Sequence, residues 1–128
     1  LEDITQKTNF LEPQEQFLPH YFLGECYLRA GKVSDARRVL QQAVNMAPQF
    51  PAALYSLARA VQTSKDEATA ALLFKRHAQL TSLLSEMDSL STRLQEKPSD
   101  AVLAKRLTDV QDSLDNLLKQ PLPKLAGN

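Results

Sequence analysis

Few residues in this sequence carry side chains suited to catalysis. The chain contains two histidines, His20 and His77, and a single cysteine, Cys26. Histidine can act as a general acid or base or bind a metal, and a thiolate can act as a nucleophile. The two histidines lie far apart in the sequence. A lone cysteine forms neither an intrachain disulfide nor a thiolate metal cluster. The sequence contains no phosphate-binding loop and no hydrolase motif. We therefore expect a packing role for His20, a buried unreactive thiol at Cys26, and no catalytic residue, metal or cofactor.

Charge and composition narrow the classes of function further. Fifteen basic and fifteen acidic residues give a formal net charge of zero, so no overall field attracts the protein to nucleic acid or to an anionic membrane. No apolar run approaches the roughly 18 residues that a membrane span requires. We expect a soluble protein that binds neither nucleic acid nor membrane. The sequence shows no visible targeting segment, so its compartment is left open.

The elements that must position these side chains are helices. Glycine occurs only three times, and helix-forming residues are abundant. Runs of β-branched and aromatic residues, which are typical of strands, are missing, so the composition predicts an all-α fold. Pro19 falls in a first helical turn, Gly31 stands at a helix end, and Ser99 is predicted to cap the last helix. The predicted helices are Phe17–Ala30, Val33–Met46, Ala52–Thr63, Glu67 to about Glu96, and one that follows Lys97–Asp100.

Two consecutive stretches of the sequence repeat one pattern. Aligning residues 17–50 above residues 51–84 puts Leu23 over Leu57, Gly24 over Ala58, Ala36 over Ala70, and Leu40 over Phe74. The first copy reads His20-x₂-Leu23-Gly24-x₂-Tyr27, then Ala36-x₃-Leu40, and Pro48. The second copy reads Leu54-x₂-Leu57-Ala58-x₂-Val61, then Ala70-x₃-Phe74. This pattern resembles the tetratricopeptide repeat, whose period is 34 and whose signature runs W-x₂-L-G-x₂-Y, Ala-x₃-Phe and Pro.

Small residues in both copies predict close helix packing. Gly24 and Ala58 are small at the place where the two helices of one repeat should cross. We expect Tyr27, Leu40 and Phe74 to fill the space between neighbouring repeats.

The resemblance implies an α-solenoid with a concave groove, lined by the first helix of each repeat, that holds an extended or helical peptide. Tyr21 and Tyr55 occupy equivalent positions of the two copies, as do Glu25 and Arg59, so stacked repeats would place each pair side by side. The implied partner-binding residues are Tyr21, Glu25, Leu28, Arg29, Tyr55, Arg59 and Gln62.

Two interpretations of this groove stand side by side. In the first, both tyrosines anchor a protein or peptide partner of unknown identity while Arg59 or Arg29 binds an acidic group. In the second, Glu25 and Arg59 form only an exposed ion pair, and neighbouring helices partly cover the tyrosines.

The last two helices carry a separate pattern of apolar residues. Steps of three and four alternate along Leu80, Leu83, Met87, Leu90 and Leu94, and again along Leu103, Leu107, Val110, Leu114 and Leu117. Two such seams joined by a short turn predict an antiparallel helical hairpin. Internal pairing of the seams predicts a monomer. Opening of the hairpin would allow a homodimer through Leu80, Leu83, Met87, Leu90 and Leu94.

We interpret the chain as a non-catalytic protein-interaction module or scaffold. Two alternatives are a structural oligomerisation element, acting through the heptad helices 80–94 and 103–117, and a regulatory segment of a longer enzyme. The predicted organisation has a lead-in or remnant of an upstream repeat at 1–16 and repeats at 17–50 and 51–84. The second repeat runs into a long helix to about residue 96, followed by a C-terminal capping helix at 98–120 and a frayed tail at 121–128.

Overall fold

The computed structural model describes residues 15–124, and within this range the chain is helical and contains no strand. The all-α prediction is confirmed. Residues 1–14 of the predicted lead-in at 1–16 lie outside the described residues. Residues 125–128 of the predicted tail also lie outside them. The described helices are α1 (Leu18–Arg29), α2 (Val33–Met46), α3 (Pro51–Thr63), α4 (Glu67–Glu96) and α5 (Ala101–Lys119).

The helix boundaries agree with the predicted ones to within one residue, apart from the start of α5. Pro19 and Pro51 lie in the first turns of α1 and α3, where a missing N–H breaks no helical hydrogen bond. The predicted N-cap at Ser99 is wrong. Asp100 caps α5, because its carboxylate accepts hydrogen bonds from the N–H groups of Val102 at 3.0 Å and Leu103 at 3.2 Å.

The chain divides into two compact units, and the long helix α4 contributes residues to both. Among the described residues, those up to Lys75 together with Pro123 and Lys124 belong to the first unit, and Arg76–Leu122 form the second. In the first unit, α2 packs against α1 and α3. The core of this unit contains the fully buried side chains of Leu23, Val39, Leu40, Leu54, Leu57, Val61 and Leu73.

Packing between α1 and α2 depends on the absence of a side chain at Gly24. A Cβ atom at this position would overlap the side chain of Leu40. The Leu40 side chain therefore packs against Gly24 where α1 and α2 cross. The ring of Phe74 on α4 contacts Tyr55 of α3.

Helix α1 ends in a left-handed turn built around Gly31. Gly31 has a φ angle of 77°, which glycine adopts without steric cost. Its N–H donates to the carbonyl of Leu28 at 3.1 Å, and the N–H of Lys32 donates to the carbonyl of Tyr27 at 2.9 Å. This pair of hydrogen bonds is the Schellman motif, which satisfies carbonyls that the helix leaves open.

Helix α3 ends in the same motif, at the position of the second copy that is equivalent to Gly31. Lys65 has a φ angle of 68° and donates its N–H to the carbonyl of Gln62 at 2.9 Å. The N–H of Asp66 donates to the carbonyl of Val61 at 3.4 Å. The backbone thus repeats with the period found in the sequence, although lysine replaces glycine at the left-handed position.

The second unit is a helical hairpin formed by the later part of α4 and by α5. Leu90, Leu103 and Val110 form its buried cluster, and Leu83, Met87, Leu94 and Leu107 pack against them half-buried. All seven residues belong to the two predicted heptad seams. The two predicted seams thus supply the apolar side chains that pack in this unit.

Arg76 closes the end of this hairpin that lies away from the turn. Its guanidinium donates to the carbonyls of Leu117 at 2.9 Å and Pro121 at 3.0 Å, and also to the carbonyl of Gln120. Leu117 lies in the last turn of α5, where its carbonyl also accepts the N–H of Gln120 at 3.2 Å, and Gln120 and Pro121 follow the end of the helix. Partial burial lowers the pKa of Arg76 from its ordinary value because desolvation disfavours the charged form. The guanidinium remains charged at neutral pH.

Candidate functional site

The residues suited to catalysis are dispersed in the fold. His20 and Cys26 are half-buried on α1, and His77 is half-buried on α4. Cys26 is not fully buried, so the expectation of a buried thiol is wrong. Within residues 15–124, no group of three or more histidine, cysteine, aspartate or glutamate residues could hold a metal ion.

The residues expected to bind a partner lie on two neighbouring helices of the first unit. Tyr21, Glu25, Leu28 and Arg29 follow one face of α1 at helical spacing, and Tyr55, Arg59 and Gln62 follow one face of α3. We call these seven residues the tyrosine face. A hydrogen bond from the hydroxyl of Ser56 to the carboxylate of Glu25 joins α1 to α3 at the middle of this face.

The Glu25 hydrogen bond corrects one expectation. The second interpretation paired Glu25 with Arg59, but within the described residues Glu25 accepts a hydrogen bond from Ser56, which is only 3% exposed. A buried hydroxyl is costly unless it is hydrogen-bonded, so this contact satisfies Ser56 while it fixes the Glu25 side chain. Arg59 is left exposed at the surface of α3.

The two tyrosines differ in how much of the ring is accessible. Tyr21 is half-buried, because Phe50 packs edge-on against it with ring centroids 5.4 Å apart and Phe22 lies 5.3 Å away. The partial cover expected in the second interpretation is therefore present at Tyr21, although Phe50 precedes α3 and does not belong to a helix. Tyr55 is 44% exposed, and its ring rests edge-on against Phe74 at a centroid distance of 5.5 Å.

The other members of the tyrosine face form a mainly polar surface. Arg29 and Gln62 are exposed, whereas Leu28 is half-buried beside the C-terminus of α1. The exposed ring of Tyr55 is one helical turn from Arg59, which places an apolar contact surface next to a guanidinium.

Three residues that shape this face were missed by the sequence analysis. Phe50 and Phe74 support the two tyrosines, and Ser56 holds Glu25. The repeat alignment contained a signal for Ser56, because Ser56 occupies the position of the second copy that is equivalent to Phe22. Replacement of a large apolar residue by serine indicates that this position makes a different contact in the second copy. Phe50 lies between two helices, where helical periodicity gives no information about packing.

The hairpin of the second unit carries a groove of its own. Arg106 of α5 approaches Glu86 of α4 with a nitrogen–oxygen distance of 3.5 Å, beside a shallow groove of about 350 Å³. The groove is lined by Ser82, Ser85, Glu86, Ser89, Leu90, Arg93 and Arg106. It lacks the exposed aromatic ring that distinguishes the tyrosine face.

No protein-family model, curated protein or solved structure shows significant similarity to this chain. Among the helices that the structure describes, none has the length and apolar character needed to cross a membrane.

Proposed function

We propose that this chain is a non-catalytic protein-interaction module whose first unit contains two tetratricopeptide-like repeats. The proposal depends above all on the recurrence of one backbone motif. The left-handed turns at Gly31 and Lys65 are separated by one period of the sequence repeat, and so are the starts of α2 at Val33 and of α4 at Glu67. A helix–turn–helix period of this length is the signature of tetratricopeptide repeats, which stack to form extended binding surfaces.

The tyrosine face is the surface proposed to hold the partner. Tyrosine gives a large contact area with few rotatable bonds, and Tyr55 offers such a ring on a face that is otherwise mostly polar. Its contact with Phe74 restrains the ring before binding, which lowers the entropy lost when a partner docks. Glu25 and Ser56 hold α1 and α3 in fixed register beneath this surface.

The experiment that tests this proposal places a photo-cross-linking amino acid at position 55. Irradiation in a lysate from the source cells should give a discrete cross-linked partner that mass spectrometry can identify. The identified partner is then purified, and its affinity for the wild type and for Tyr55→Ala is measured by calorimetry. We expect Tyr55→Ala to weaken binding by about 1–2 kcal/mol, because it removes a central aromatic contact.

Leu72→Ala is the matched control for this substitution. Leu72 is also an exposed large hydrophobic residue, 55% accessible, but it belongs to α4 and lies outside the tyrosine face. Affinity for the partner should be unchanged in Leu72→Ala, and both variants should melt near the wild-type temperature. Equal loss of affinity in the two variants, or a cross-link at position 72 to the same partner, would contradict the assignment of the binding surface.

The alternative of an oligomerisation element has less support from the packing of the second unit. Leu90 is 2% exposed, and Leu103 and Val110 are also buried in the cluster that the hairpin forms internally. A homodimer through the same residues would first have to separate α4 from α5 and expose this cluster to water.

A further inference from the structure

We infer that the partner of the tyrosine face is an acidic polypeptide segment that carries an apolar side chain next to an aspartate or glutamate. This inference rests on the proposed function and adds the chemistry of the partner. It is drawn from the charges that remain available on the face once its internal contacts are accounted for.

The two arginines of the face are the groups available to a ligand. Arg29 and Arg59 are exposed, and neither forms an ion pair with another residue in the range 15–124. Glu25 is held by Ser56 at the junction of α1 and α3, so its carboxylate is committed to a contact within the protein. Two guanidinium groups against one carboxylate give the face a net charge of plus one, although the whole chain is neutral.

The position of Arg59 relative to Tyr55 defines the ligand more closely. Side chains four residues apart on a helix are neighbours, with Cβ atoms about 5–6 Å apart. An apolar side chain packed on the Tyr55 ring would therefore bring an adjacent ligand residue to Arg59. Guanidinium binds carboxylates in a planar, two-pronged geometry, so an aspartate or glutamate at that place gains a charge-assisted hydrogen bond.

Nucleic acid is a poorer match to the same charges. Binding a phosphate backbone depends on several lysine or arginine residues along one surface, and it releases counterions in proportion to the number of contacts. The tyrosine face offers two arginines beside one glutamate, on a chain with no net positive charge. A peptide with one or two carboxylates matches this surface in charge.

Selection of short random peptides displayed on phage tests the inference with the intact chain as the target. We expect the wild-type chain to enrich sequences that contain aspartate or glutamate next to an aromatic or aliphatic residue. A synthetic peptide from this pool should bind the double variant Arg29→Gln/Arg59→Gln roughly five- to tenfold more weakly, as expected for the loss of two exposed charge contacts. Its affinity for the wild type should fall as salt is added.

The double variant Arg38→Gln/Arg93→Gln is the matched control. It removes the same total charge from two exposed positions outside the tyrosine face, on α2 and α4. Equal weakening in both double variants would show a general charge effect and overturn the inference. Enrichment of neutral or basic peptides that depend on Tyr55 would also overturn it but would leave the proposed function standing. Failure of the wild type to enrich any peptide, together with the absence of a cross-link at position 55, would contradict both.

Discussion

At the scale of single residues, Gly24 sets how closely α1 and α2 approach. The Leu40 side chain occupies the space that a Cβ at position 24 would need. The equivalent position of the second copy is Ala58, which is fully buried, so the second pair of helices accommodates a methyl group at this place. The need for glycine is therefore a property of the Gly24–Leu40 contact and not of the repeat in general.

We predict that Gly24→Val lowers the free energy of unfolding by roughly 1–3 kcal/mol, because an overpacked core forces neighbouring atoms to shift. Urea denaturation followed by circular dichroism measures this difference. Combining Gly24→Val with Leu40→Ala should recover part of the loss, since the smaller residue vacates the contested space. A double variant whose loss equals the sum of the two single losses would show that the two side chains do not compete.

The left-handed turns give a second prediction at this scale. A residue other than glycine with a left-handed backbone costs about 1–2 kcal/mol, and Lys65 is such a residue. We expect Lys65→Gly to raise the free energy of unfolding by several tenths of a kcal/mol to about 1 kcal/mol, after the entropy cost of glycine is subtracted. Gly31→Lys at the equivalent position should lower it by a comparable amount.

Both variants can be measured by thermal melting, and Lys32→Gly is a suitable control. Lys32 is exposed and directly follows Gly31, but it does not have a positive φ angle. Glycine at position 32 should be neutral or destabilising. Stabilisation by Lys32→Gly as large as that by Lys65→Gly would mean that the left-handed backbone is not the source of the effect.

At the scale of helices, the C-terminus of α5 has an unusual cap. The residue after this helix, Gln120, has an extended backbone, whereas α1 and α3 are followed by left-handed turns. The guanidinium of Arg76, from a distant part of the chain, donates to the carbonyl of Leu117 in the last turn of α5 and to the carbonyls of Gln120 and Pro121 beyond it. Local sequence around residue 120 gives no sign of this cap.

We predict that Arg76→Met destabilises the hairpin by about 1–3 kcal/mol, because hydrogen bonds to a charged group are among the stronger ones and the carbonyls would lose this donor. Amide hydrogen exchange should accelerate most at Leu118 and Lys119, in the last turn of α5. Arg76→Lys should preserve part of the protection, since an ammonium reaches fewer of these carbonyls in a good geometry. Arg93→Met, on the exposed surface of the same helix, should leave exchange in that turn unchanged.

How far the sequence predicts each element depends on whether the deciding contact is local. Helical periodicity located the helices to within one residue at most ends, and proline or glycine marked several of these ends. Ser99 and Asp100 are both good capping residues, and only the backbone angles decide that Asp100 takes the role.

Local sequence patterns cannot predict contacts between residues that lie far apart in the sequence. The cover of Phe50 over Tyr21, the Ser56–Glu25 hydrogen bond and the Arg76 cap each join residues on different elements. Helical period placed seven residues on the tyrosine face, of which Arg29, Tyr55, Arg59 and Gln62 are exposed and Tyr21, Glu25 and Leu28 are half-buried.

At the scale of the whole molecule, the packing of the heptad seams within one chain predicts that the protein is a monomer. The seam residues are buried or half-buried within one chain. We therefore predict a constant mass near 14.3 kDa by light scattering after size exclusion, at all concentrations measured. A mass that rises with concentration in the wild type, and returns to that of one chain in Leu94→Gln, would favour assembly through the seam.

The lysine at the second left-handed turn shows how strongly its surroundings determine the local backbone. Positions 31 and 65 have nearly the same left-handed backbone, although glycine stands at one and lysine, which disfavours this backbone, at the other. The neighbouring helices must therefore hold the turn in place against the preference of its central residue. Among homologous chains, glycine or asparagine should stand at position 65 more often than any β-branched residue, because both adopt a left-handed backbone more readily.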